Sequence, residues 1–226
     1  MAVPCLIMGR SGSGKTYSLH NFKADEVGVI SVEKGRLPFK SDIKVAKVPA
    51  FTKDEAGKTL LPSETATRKY FWIKQAIYTS KVNSIVIDDS QYLLVNELFD
   101  RAKEKGYDKY VDMAANFRDL IHFINELEDE NKIVYFLHHS ESDGETREKA
   151  KTIGRMIDEK LVLEGCFDVV IYCADQKFYT QGNGISTAKT PEGLFDAVEI
   201  PNDLKKVDDA IRAYWGLAGA EKKGAK

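Results

Sequence analysis

Apolar residues along this chain gather into short runs of strand length, separated by stretches with helical spacing. Val3 to Met8, Val27 to Val32, Ser84 to Ile87, Ile133 to Leu137 and Asp168 to Cys173 are almost continuously apolar, the pattern of strands buried on both faces. Ala66, Tyr70, Ile73 and Ile77 follow Pro62-Ser63-Glu64, a helix opening, and recur on one helical face. Tyr110, Met113, Ala114, Phe117, Leu120, Ile121, Ile124 and Leu127 do the same at three- and four-residue steps. Such stripes cover a sheet. The alternation predicts an α/β fold, a mostly parallel sheet with helices on both faces.

The remaining segments fit around that plan. Lys34 to Lys58 is basic and irregular, a surface excursion with room for a short strand at Ile43 to Val48. Glu141 to Arg155 is polar, contains Gly144 and Gly154 and has no apolar period; it predicts a mobile loop. Phe178-Tyr179-Thr180 and Ile185-Ser186-Thr187 flank Gly182-Asn183-Gly184, which predicts a C-terminal β-hairpin and about seven or eight strands in all. A helix from Asp203, with Leu204, Val207, Ile211 and Tyr214, closes the fold. We expect one domain over residues 1–218, with 219–226 a disordered tail of small and charged residues.

The chemistry begins between the first strand and the next helix. Gly9-Arg10-Ser11-Gly12-Ser13-Gly14-Lys15-Thr16 fits the phosphate-cradling pattern G-x-x-x-x-G-K-[ST] at every fixed position. The glycines let successive backbone N–H groups wrap a phosphate, Lys15 adds a point charge, and the Thr16 hydroxyl suits Mg²⁺. Tyr17 directly follows, and Thr16 to Phe22 should continue as the helix whose first turn faces the anion. A nucleoside triphosphate, ATP with Mg²⁺, is the expected ligand.

The strand Ser84 to Ile87 ends in Asp88-Asp89. An apolar strand ending in a carboxylate fixes that group at the sheet's carboxyl edge, and Asp88 is the candidate Mg²⁺ ligand. Its simpler role is to cap the helix that starts near Ser90. Likewise the strand at Ile133 to Leu137 ends in His138-His139-Ser140. Either a phosphate-sensing histidine, with His139 the candidate, or a structural one fits that position.

Composition narrows the classes. The chain has 226 residues, 43% hydrophobic and 30% charged, with a net charge of -2. That balance by itself neither marks nor excludes a nucleic-acid protein. Cys5, Cys166 and Cys173 are too scattered for a disulfide framework or a metal site and read as reduced thiols. No basic leader or long apolar run appears, so we expect a cytoplasmic protein with no membrane contact.

These residues resemble phage-encoded ATP-binding proteins with a RecA-like P-loop core, associated with single-strand annealing and recombination. Beyond the phosphate loop the resemblance lies in Val32-Glu33-Lys34-Gly35, Ile87-Asp88-Asp89-Ser90, the strand ending at His138-His139, Lys151-Thr152-Ile153-Gly154-Arg155-Met156, Gly165-Cys166-Phe167-Asp168-Val169-Val170 and Thr187-Ala188-Lys189-Thr190-Pro191. It implies a water-polarising glutamate at Glu33, DNA-binding loops at Asp100 to Asp112 and Glu141 to Arg155, and a γ-phosphate contact in trans from Lys189. Arg147, Lys149, Lys151 and Arg155 would then meet single-stranded DNA. Expected partners are that DNA, a single-strand-binding protein and further copies of the chain. The paired acids also resemble AAA-type ATPases, where Asp89 would activate water in place of Glu33. A nucleotide-gated switch with little turnover and a small-molecule kinase remain alternatives. With the phosphate loop beginning at residue 9, we expect no amino-terminal oligomerisation segment like that of the bacterial recombinase, and no loop is strongly basic, which favours annealing or an accessory ATPase role over strand exchange.

Overall fold

The computed structural model describes residues 1–219; of the tail expected over 219–226, residues 220–226 lie outside the described residues. The elements in chain order are β1 (Val3–Gly9), a 3-10 helix (Thr16–Asn21), β2 (Val27–Ser31), β3 (Val45–Lys47), α1 (Pro62–Thr79), β4 (Ser84–Asp88), α2 (Gln91–Asp100) and α3 (Asp108–Asn125). There follow β5 (Ile133–Ser142), β6 (Glu148–Ala150), α4 (Arg155–Asp158), a 3-10 turn at Leu163–Cys166, β7 (Val169–Ala174), β8 (Lys177–Tyr179), β9 (Glu199–Pro201) and α5 (Leu204–Trp215).

The sheet runs β3-β2-β4-β5-β1-β7-β8-β9, with β6 paired to β5. All neighbours from β3 to β7 are parallel, whereas β7, β8 and β9 are antiparallel. This is the expected RecA-like P-loop arrangement. β5 lies between the phosphate-loop strand and the strand of the paired acids, and its register sets the site: Gly9 pairs with His139, and Ile87 with Phe136.

Both faces are covered, and the strands alternate between them. Leu6 and Met8 of β1 pack under α1 and α3, with Tyr70, Ile73, Phe117 and Ile121. Cys5 and Ile7 pack on the other side with Leu19 of the 3-10 helix and with Leu204, Val207 and Ile211 of α5. Every residue of β1 is buried, so an apolar run without polar alternation is what this position demands. No helix among the described residues is long and apolar enough to cross a membrane.

Four expectations need correction. The stretch Glu141 to Arg155 is no loop: β5 continues to Ser142 and turns back as β6, pairing Ser140 with Ala150, Glu141 with Lys149 and Ser142 with Glu148. Polar residues on both faces hide a strand from hydrophobic periodicity, while the Glu141–Lys149 pair across the strands (3.7 Å) supports it. The C-terminal hairpin also forms elsewhere. β8 pairs with β7 through a two-residue turn in which Asp175 and Gln176 both have positive φ, and with β9 on its other side, and Ser186 bridges to Glu148 of β6 instead. Thirdly, the helix after the phosphate loop is a single 3-10 segment that stops at Asn21, because the chain must turn to enter β2 at Val27. Fourthly, the sheet has nine strands among the described residues, not the expected seven or eight.

Beneath the sheet, away from the loops, α5 is pinned by a buried network. Asp208 and Arg212, both 3% exposed, form an ion pair with Nε–Oδ2 at 2.7 Å. Ser84 and Tyr135 donate to Asp208 Oδ1 at 2.6 and 2.9 Å. Removing one partner of a buried pair leaves an uncompensated charge. Arg212→Met should therefore cost about 3–5 kcal/mol in urea unfolding, and Asp208→Leu added to it should restore most of the loss. A single variant within about 1 kcal/mol of the parent would show that the network is not stabilising.

Candidate functional site

The phosphate loop leaves β1 at Gly9 and is held from two sides. A Cβ at Gly9 would lie 2.2 Å from the Cys173 carbonyl oxygen, so only glycine lets β1 and β7 meet here. Gly14 has φ +105, and a Cβ there would lie 2.4 Å from Asn202 Nδ2 and 2.5 Å from Gln176 Oε1. Asn202 Nδ2 donates to the Gly14 carbonyl (3.0 Å), and the Gln176 N–H donates to that of Ser13 (3.3 Å). The loop therefore rests on the β7–β8 turn and the residue before the α5 cap. Lys15 is buried, its ammonium donating to the carbonyls of Gly9 (2.6 Å) and Arg10 (2.9 Å). Burial lowers its pKa. The Ser13 hydroxyl, also in the loop, is buried with no hydrogen-bond partner among the described residues.

Above the loop lies a cleft of about 360 Å³, lined by Ser11, Gly12, Gly14, Lys15, Thr16 and Tyr17 from the loop. Lys34, Pro38, Asp89, His139 and Gln176 complete it. Tyr17 stacks on His20 with ring centroids 4.6 Å apart, and Phe39 meets Tyr17 edge-on at 6.1 Å. An aromatic wall thus stands at the end of the loop, suited to a planar base.

Thr16 Oγ1 donates to Asp88 Oδ1 at 2.9 Å, which joins the loop to the carboxyl end of β4. Asp88 is 5% exposed, and burial first, then the charge of Asp89, raise its pKa. A buried carboxylate beside a second one and a threonine hydroxyl fits a divalent cation, whose charge would offset both terms. Among the described residues no cluster of three or more His, Cys, Asp or Glu side chains could hold a metal alone. Mg²⁺ here would be held by Thr16, Asp88 and phosphate oxygens, as hard oxygen ligands require.

Asp89 faces the cleft from a left-handed backbone, φ 59, tolerated by aspartate better than by most residues. Its Oδ1 lies 3.4 Å from His139 Nε2, and that contact, followed by Lys34 and Lys15, holds the carboxyl below its usual range against burial. The alternation of β5 separates the two histidines. His139 faces the cleft and meets Tyr92 edge-on at 5.8 Å. His138 turns onto the α3 face, fully buried, and is pushed down from 6.5 to about 3 by that burial.

The other candidates fall outside this cleft. Glu33 is exposed, accepts from Asn96 Nδ2 at 3.4 Å, and lines a separate pocket with Lys47, Val48 and Lys69. Its neighbour Lys34 reaches the phosphate cleft instead. Lys189 is exposed and bridges Val170 on the outer edge of β7. Arg10 points away from the loop to Glu148 (2.6 Å), which also accepts from Ser140 Oγ (2.5 Å). Of the basic residues on the hairpin and just beyond it, Arg147 pairs with Asp143 (3.1 Å), Lys149 with Asp158 (2.6 Å) and Arg155 with Glu159 (3.5 Å). Lys151 lines a polar cleft beside Arg10, Ser11, Tyr92 and His139.

Pro38, Gln176 and Asn202 were not singled out in the sequence, and Lys34 appeared only within Val32-Glu33-Lys34-Gly35 with no role of its own. They lie outside the loop along the chain, and the sheet order brings them to it.

A sequence profile of the AAA domain matches residues 1–195. No curated protein matches the chain. An ATPase from the type III secretion system of pathogenic bacteria is similar in structure at 14% identity and a TM-score of 0.40, over 75% of this chain and 50% of that one. The chain thus spans half the length of that structure.

Two outcomes follow from this geometry. Gly14→Ala should weaken nucleotide binding about tenfold or more, measured by titration with a fluorescent ATP analogue, because the methyl group displaces Asn202 and strains the loop. Unchanged affinity would show that the loop tolerates both. His138 stays neutral when folded, whereas the unfolded chain takes up a proton below about pH 6.5. Its contribution is intact above that pH and is lost as pH falls towards its folded value of about 3, at up to about 1.4 kcal/mol per pH unit. Urea unfolding at about pH 7.5 and pH 5.5 should show a stability drop that His138→Gln reduces; equal drops in both proteins would contradict the assigned neutral imidazole.

Proposed function

Because the chain belongs to the AAA domain family of P-loop NTPases, which bind nucleoside triphosphate typically with Mg²⁺, we propose that it is an ATPase in which Asp89 accepts the proton of the attacking water. The observation that carries this reading is the convergence of Lys15, Thr16, Asp88, Asp89 and His139 on one side of the sheet, with Asp89 and His139 lining the cleft above the loop. Glu33 lines another pocket, so Asp89 takes the role that the RecA-like resemblance gave to Glu33.

In this reading water attacks the γ-phosphorus, the bond to the β–γ bridging oxygen breaks, ADP leaves with that electron pair, and the water proton passes to Asp89. Mg²⁺, when bound at Thr16 and Asp88, draws charge from the phosphate oxygens. Lys15 exchanges its two carbonyl partners for phosphate, gaining a charge-assisted contact in a buried setting. Asp89 held low by His139 is a weak base, and turnover is slow until that contact loosens, since proton transfer improves as the pKa nears the working pH. His139 is then free to donate to the γ-phosphate. The wall of Tyr17 and Phe39 receives the base.

We extend the reading to assembly and to a regulator. Lys189 is exposed and outside its own cleft, so it serves a neighbouring copy in a homo-oligomer. Single-stranded DNA, with a single-strand-binding protein, is the proposed regulator in annealing, recombination or replication. What supports it is the β5–β6 hairpin and the segment just beyond it, where Lys151 lines the polar cleft beside His139 and Arg155 at the start of α4 has an exposed side chain.

Phosphate release from ATP, with and without single-stranded DNA, tests both levels. Asp89→Asn should lower kcat about 10²-fold or more while Glu33→Gln stays within about threefold; the reverse pattern would return the role to Glu33. DNA should raise turnover in the parent, and less so in Lys151→Ala and Arg155→Ala. No response to DNA would leave a nucleotide-gated protein switch as the better reading.

A further inference from the structure

The proposed chemistry uses His139 and leaves its neighbour idle, although His138 is fully buried with both ring nitrogens engaged. Its Nε2 lies 2.7 Å from the Lys151 carbonyl oxygen, and its Nδ1 lies 2.9 Å from Ser90 Oγ. A carbonyl only accepts, so Nε2 bears the proton and Nδ1 is an acceptor for the Ser90 hydroxyl at 2.9 Å, whose one proton the Leu137 carbonyl also faces at 3.1 Å. The ring therefore joins the residue that follows Asp89 to the strand end that closes the β5–β6 hairpin.

Both ends of this bridge matter to the cleft. Ser90 is buried, its N–H donates to the Leu137 carbonyl at 3.0 Å, and it follows directly on Asp89 in its left-handed conformation. A residue held at positive φ keeps its direction only while the chain on either side is fixed. At the other end the Lys151 N–H donates to the His139 carbonyl at 2.8 Å. One backbone unit of the hairpin thus grips His138 by its side chain and His139 by its main chain. The Arg10–Glu148 pair is a second tie, but the Arg10 side chain is 67% exposed, where such pairs are weak.

We propose that His138 is a positioning residue that couples the β5–β6 hairpin to Asp89 through Ser90. The inference rests on the reading of Asp89 as the base. A shift of the hairpin moves the Lys151 carbonyl, the imidazole follows, and Ser90 carries the Asp89 carboxylate with it. The phosphate loop is held by Gln176 and Asn202 and by the Thr16–Asp88 contact, none of which His138 touches. The coupling therefore acts on turnover and leaves nucleotide affinity alone.

The test compares kcat with the affinity for a fluorescent ATP analogue in His138→Phe, His138→Gln, Ser90→Ala, the double variant of His138→Phe with Ser90→Ala, and Asp89→Asn. Misplacement of a reacting group by about 1 Å costs up to about 10²-fold. His138→Phe and Ser90→Ala should each lower kcat about ten- to a hundredfold, with affinity within about threefold of the parent. The double variant should be no slower than His138→Phe, because both break one chain of contacts. His138→Gln, whose amide can still donate to Lys151, should be faster than His138→Phe. Parental kcat in His138→Phe beside an inactive Asp89→Asn overturns the coupling and keeps Asp89 as base. Losses that multiply in the double variant, or affinity falling with kcat in Ser90→Ala, overturn it as well. An active Asp89→Asn removes the base assignment and the coupling with it.

Discussion

The part-buried contact between the Thr16 hydroxyl and the Asp88 carboxylate, 2.9 Å long, is the constraint on which the site depends. It requires the phosphate loop and the end of β4 to converge although β5 stands between their strands. It also requires a carboxylate to sit almost out of water, at a cost that rises because Asp89 is next to it. A site that concentrates negative charge in this way is stabilised by binding positive charge and strained without it. The chain keeps Lys15 inside the same pocket, tied to its own loop, as an internal counter-charge that phosphate must recruit.

The rest of the fold serves that convergence. Parallel pairing aligns the carboxyl ends of β1, β4 and β5 at one edge, so loops leaving that edge share a cleft. The period of two along β5 then divides adjacent histidines, one towards the cleft and one towards Phe117. On the far side the antiparallel β7–β8 turn closes under the loop, where Gln176 supplies what the loop's own short 3-10 continuation does not. The pinned helix α5 fixes Asn202 one residue ahead of its cap, Asp203, which accepts from the N–H groups of Lys205 and Lys206.

Those arrangements differ in how far they could be read from the residues. The phosphate loop, the strand of paired acids and the stripes of α1 and α3 were legible because each is local: a glycine pattern, an apolar run or a helical period. All four residues singled out on α1, Ala66, Tyr70, Ile73 and Ile77, are buried. The hairpin of β5 and β6 was not legible, since its strands pair through polar and charged residues that make no apolar alternation. The C-terminal pairing failed for a related reason. Gly182-Asn183-Gly184 does form a turn, but a turn does not choose the partners of its flanks, and Asp175-Gln176 took the hairpin instead.

The sequence by itself determined that the chain forms a doubly covered parallel sheet and cradles a phosphate, because burial and positive φ act on neighbouring residues through the local backbone. The tertiary structure alone decided which acid meets the cleft. Glu33 and Asp89 both stand at strand ends and look equivalent along the chain, yet the order β2-β4-β5-β1 sets Glu33 one strand farther from the loop and turns Lys34 towards it. Distance between strands is fixed by hydrogen-bonded register across the sheet, a property of pairs of segments that no single segment encodes.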